Sequence, residues 1–198
     1  MTDLSDSVLR AIEFLSGFHK DVAKLLGSVE DAARTKGLTP LWGAQSMWDR
    51  SSAYYGAAGW MARYLCRAYV PAPADGATVQ KLQQRLACFL VYLAPRLAKE
   101  PTAVWGVLSL IERGDPWPVL KPILLLEDGP PFLKRALVSE WEKVPAISEK
   151  VDSFIYRACP LVRLVDADTV ERVVVQPLIE IFSPHASEGN EPGNAARM

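Results

Sequence analysis

The stretch DSVLRAIEFLSGFHKDVAKLLGSVEDAARTK, residues 6–36, decides how this chain begins to fold. Apolar residues occupy both seam positions of a seven-residue repeat through four heptads: Val8, Leu15, Val22 and Val29 at one, Ala11, Phe18, Leu25 and Ala32 at the other. One long helix accounts for that spacing. Leu4 and Leu9 flank Ser5 as a hydrophobic staple around an N-cap, and Asp6 sits in the positive first turn. At the far end Arg34 and Lys36 meet the negative pole, Gly37 can take the left-handed capping conformation, and Pro40 forbids resumption. At 1.5 Å per residue such a helix spans roughly 46 Å, beyond the width of a small domain, so it must protrude, bend or pair. Ile12, Leu26 and Ala33 widen the stripe to the breadth of a helix packed in a core. The stripe therefore serves either the protein's own body or a homodimer joined through Val8, Leu15, Phe18, Val22, Leu25 and Val29.

Downstream, period two replaces period 3.6. Ala62, Tyr64, Cys66, Ala68 and Val70 alternate with Arg63, Leu65, Arg67 and Tyr69, which predicts a half-exposed strand. Pro71, Pro73, Asp75 and Gly76 break it. The next segment, residues 79–93, fits a short helix running into a strand. Residues 103–111 read as a further strand, completing a three-stranded antiparallel meander. Leu133, Leu137 and Trp141 have helical spacing over residues 132–144. Residues 153–165 read as a last strand broken by Pro160, and Asp168 with Glu171 resembles a capping box before a helix kinked at Pro177. From Ser183 onward the chain is polar and rich in turn formers, the composition of a disordered tail. The expected fold is α+β: one globular domain over residues 1–182, with the long helix packed on an antiparallel sheet of about four strands, additional C-terminal helices, and a tail over 183–198.

Composition narrows the function classes. At 49% hydrophobic and 23% charged, the 198 residues suffice for one sizeable core. No apolar run reaches the eighteen residues of a membrane span, and the acidic start with Asp3 and Asp6 is unlike a secretory leader. Cys66, Cys88 and Cys159 are odd in number, widely spaced and set among apolar neighbours, the pattern of reduced thiols in a cytoplasmic protein. With only His19 and His185 beside them, no zinc set can be assembled, and no cofactor motif is present. No serine or cysteine stands in a nucleophile motif that His19 would serve, so no catalytic residue is assigned.

The net charge of −1 conceals an asymmetry. Residues 50–99 hold seven bases against Asp75 alone, interleaved with aromatics. Arginines alternating with aromatics on a sheet hold phosphates while stacking bases, so Arg50, Arg63, Arg67, Tyr64 and Tyr69 form a candidate surface for an anion or nucleic acid. Against this, arginine stems cover apolar sheet and pair with acids elsewhere in the chain. The reading that best fits the residues is a non-catalytic binding or regulatory module acting through protein–protein contact, with self-association through the first helix. The anion or nucleic-acid binder is the alternative, and an enzyme with a site assembled from distant residues is the third.

Overall fold

A computed structural model of the chain describes residues 2–41, 47–49, 64–73, 84–93, 100–111 and 137–182. The first helix, α1, runs Thr2–Thr35, starting one turn earlier than the Ser5 cap predicts. It ends where expected, with Gly37 at φ +78°. Seven strands follow: β1 (Leu38–Pro40), β2 (Met47–Asp49), β3 (Tyr64–Pro71), β4 (Arg85–Tyr92), β5 (Thr102–Leu110), β6 (Val138–Ser148) and β7 (Val151–Pro160). A short helix α2 (Ala167–Val170) leads through a π-helical turn, Glu171–Val175, into α3 (Gln176–Phe182).

The strands form one antiparallel sheet in the order β1-β3-β4-β5-β7-β6. Strands β1 and β2 pair with opposite ends of β3 and share one edge, so the sheet is six strands wide rather than about four. The meander β3-β4-β5 is present as the alternation predicts. The extra width comes from the short edge pieces and from β6, where a helix was expected. The helix reading rests on Leu133, Leu137 and Trp141; Leu133 lies outside the described residues, and the spacing of four between Leu137 and Trp141 puts two residues on one face of a strand as well as of a helix, while Val138 joins one core cluster and Trp141 packs against the other. Within residues 79–93, Arg85–Tyr92 is strand, and residues 74–83 lie outside the described residues, as does the predicted tail over 183–198.

The sheet is buried on both faces. Cys66, Val70, Leu86, Leu90, Val104, Leu108, Phe154 and Tyr156 belong to one side, where the Phe154 and Tyr156 rings stack at 5.6 Å. Tyr69, Phe89, Val91, Trp105 and Val107 belong to the other, beneath α1 and the C-terminal helices. Strand β3 is accordingly dry from Cys66 to Val70, not half-exposed. The C-terminal helix is tied down at both ends. Lys36 at the end of α1 reaches Glu171 at 3.3 Å, and Arg85 of β4 donates through Nη2 to the Ile181 carbonyl at 2.8 Å. Its N-cap is Asp166, accepting from the Thr169 N–H at 2.7 Å, two residues before the expected box. The π turn directly precedes Pro177, whose missing N–H and bulky ring disrupt the regular helical ladder.

At the centre of the sheet Gly106 of β5 stands opposite Tyr156 of β7. A Cβ there would lie 2.1 Å from the Ile155 carbonyl oxygen and 2.8 Å from Tyr156 Cα, both backbone atoms that cannot rotate away. Gly106→Ala is expected to cost about 3 kcal/mol by forcing the two strands apart, read as a drop in the urea midpoint. An unchanged midpoint would show that this strand pair yields without cost.

Candidate functional site

Helix α1 divides into two halves with different surroundings. From Val22 to Ala33 its stripe is buried, and Val22, Leu25, Leu26 and Val29 pack on the sheet side formed by Tyr69, Phe89 and Trp105. Fully burying each large side chain is worth roughly 1.5–3 kcal/mol, far more than the exposed Lys24–Asp21 pair on the same helix contributes. Three of the six seam residues, Val22, Leu25 and Val29, therefore serve the protein's own core. Phe18 and Leu15 are half-buried. Beyond them the helix leaves the body, and Val8, Leu9, Ile12 and Phe14 are exposed by 50 to 73%.

Beside the point of departure lies a groove of about 540 Å³ between α1 and the segment after β7, walled by Phe18, Val22, Leu25, Leu161, Leu164 and Val170. Val162 and Val165 project from the same segment into solvent. The heptad reading finds Val8 and Leu15 and counts Ile12 into a core-facing stripe, assigns Leu9 only to the N-terminal staple, and passes over Phe14. Leu9 and Phe14 fall off the seam, and their signal is that apolar residues occupy more of the helix circumference than one core-facing stripe needs.

The basic segment is placed differently. Arg67 points to the α1 side of the sheet and is buried, its guanidinium paired with the Glu30 carboxylate of α1. Arg34 completes the cluster, donating from Nη2 and Nε to Glu30 Oε1 at 2.9 and 3.2 Å. Tyr69, next along the same face of β3, is wholly buried, and burial pushes its hydroxyl well above the ordinary range. Arg67 and Tyr69 thus join helix to sheet internally. Tyr64 begins β3, and Arg50 and Arg63 lie outside the described residues.

All three thiols are unbridged and buried. Burial raises each: Cys88 from 9.0 to about 12, Cys159 to about 11, and Cys66 upward with the neighbouring Cys88 adding to the effect. Protonated thiols of this kind are poor nucleophiles. Among the described residues no group of His, Cys, Asp and Glu is arranged to hold a metal, and no helix is long and apolar enough to cross a membrane. His19 is exposed, its ring edge-on to Phe18 at 6.0 Å.

Two measurements test this account. Glu30→Ala removes the acceptor shared by two arginines and is expected to cost about 3 kcal/mol, whereas Arg34→Ala, at the exposed end of the cluster, should cost under about 1. Equal losses would mean that the Arg67 contact is not the one that matters. Each thiol holds its proton more tightly in the folded than in the unfolded chain. Stability is therefore full below about pH 9 and falls as pH rises from there toward 12, the window between the ordinary and the raised Cys88 values. Urea midpoints should show that decline, and Cys88→Ala should flatten it. An identical slope in both proteins would remove Cys88 as its source.

No protein-family model matches the chain, and no curated protein or solved structure matches it either.

Proposed function

We propose that this chain is a non-catalytic binding module that associates with a second copy of itself through the N-terminal half of α1. The observation that carries the reading is a helix whose apolar stripe is committed to the core from Val22 onward and stands in solvent before it, at Val8 and Ile12. The same seam continues through both halves, so a surface shaped to meet apolar side chains is repeated where the body no longer supplies any. Asp6, Arg10, Glu13 and Lys20 fall on the opposite side of the helix, leaving the Val8–Ile12–Leu15 side without charge.

A second copy is the occupant that the pattern favours. A two-fold interface is self-complementary, and an antiparallel pair of helices keeps the two globular bodies at opposite ends. The register that sets Val8 of one copy level with Leu15 of the other also sets Leu9 level with Phe14, and Ala11 with Ile12. The groove walled by Phe18 and Leu161 lies at the foot of the helix and extends the apolar surface toward the body.

Light scattering coupled to size-exclusion chromatography tests this on the intact chain and on the double variant Val8→Asp, Ile12→Asp. Both positions are at least half exposed, so the monomer's melting temperature should stay within a few degrees while the dimer is lost. The more deeply set Leu15→Asp should abolish the dimer as well. A wild-type protein that is monomeric at every concentration would overturn the proposal.

A further inference from the structure

On the far side of the C-terminal helix, away from the α1 groove, lies a second cavity of about 550 Å³ between β5, the β6–β7 pair and the turn that carries Glu171–Val175. Its size is that of a pocket for a small molecule. Three arginines line it: Arg157 from β7, Arg163 from the turn after β7, and Arg172 from the π-helical turn. No Asp or Glu lies among its described lining residues. Asp166, close enough to Arg172 to feel its charge, is engaged as the cap of α2 and lines the other groove. No ion pair is formed by these three arginines among the described residues, and Arg157 is oriented by its stacking over the Trp141 ring at 4.7 Å.

Two of the lining residues also carry buried donors without a hydrogen-bond partner among the described residues. Trp105 is 2% exposed, and its indole N–H is buried without a hydrogen-bond partner among the described residues; Arg157 Nε is in the same state. A buried donor left without an acceptor costs roughly 1–3 kcal/mol, so two beside one cavity favour an acceptor that the described residues do not supply. Ser139 and Thr169 add hydroxyls to the lining, while Leu137, Val173 and Pro177 provide apolar wall.

We propose that this cavity binds a small phosphate monoester carrying an aromatic or apolar body. Guanidinium forks match the oxygens of a phosphate, and its double charge suits a cavity lined by three arginines and no carboxylate better than a benzoate-like single charge does. The apolar body rests against Trp105, Val173 and Pro177. None of this depends on self-association, since α1 contributes no residue to the cavity.

Phenyl phosphate is the probe, titrated against the full chain by calorimetry and by its 31P linewidth, with benzoate as the comparison. The expected result is saturable binding at millimolar concentration or tighter, at least tenfold weaker for benzoate and at least tenfold weaker in the double variant Arg163→Gln, Arg172→Gln. Both arginines are exposed, so that variant keeps its fold, which its melting temperature checks. Trp105→Phe, which deletes the buried N–H, should weaken the probe as well. Absence of saturable binding, equal affinity for benzoate, or undiminished affinity in the arginine variant would each overturn the proposal.

Discussion

Strands β4 and β5 lie side by side at the middle of the sheet, and from Leu86 to Tyr92 and from Thr102 to Val107 every residue is buried. A sheet with one wet face alternates polar with apolar residues; these strands do not, so both of their faces have to be kept from water. That requirement governs the remainder of the described structure. On one side it recruits the second half of α1 and the α2–α3 segment, which meet over Phe89 and Trp105. On the other it fills the space with Leu86, Leu90, Val104, Leu108 and the stacked Phe154 and Tyr156 rings. Gly106 belongs to the same requirement, because the backbones of β5 and β7 come closer there than any side chain allows.

Covering the sheet with a helix also explains the polar features of the interior. Arg67 sits on the face that α1 approaches, and an unpaired guanidinium between helix and sheet would be costly. Glu30, two helical turns past Val22 and one residue beyond Val29, is where the helix meets it. Such a pair adds little net stability compared with an apolar contact of the same size, but it fixes the rotation of α1 on the sheet, since only one register brings the carboxylate to Arg67. Fixing that rotation turns the Val22–Val29 stripe inward and, through the same rigid helix, determines which way Val8 and Ile12 face.

The molecule thus presents two surfaces of different character on opposite flanks of its C-terminal helix. One is apolar and built on α1 with the segment after β7. The other is cationic and built on β5, β7 and the π-helical turn.

Much of this was legible in the residue order wherever a local rule applies. The four heptads and Gly37 determine α1 and its end; strict alternation determines β3; the continuous apolar run of residues 103–110 determines β5. The thiols' apolar neighbours foretell their burial. What local pattern does not encode is which surfaces meet. The basic, aromatic segment reads as an exposed anion site because arginine and tyrosine usually reach solvent, yet Arg67 and Tyr69 are internal because a helix from thirty-odd residues earlier lies across them. Strand β6 resembles a helix because the spacing of four at Leu137 and Trp141 places residues on one face of either element, and only its pairing with β7 resolves it. The three arginines of the cationic cavity are separated by up to fifteen residues along the chain and come to line one cavity only through the path from β7 into α2. Periodicity and capping are properties of neighbours in sequence, so the chain by itself determined α1, β3 and β5. Burial and convergence are properties of neighbours in space, and those the tertiary structure alone decided.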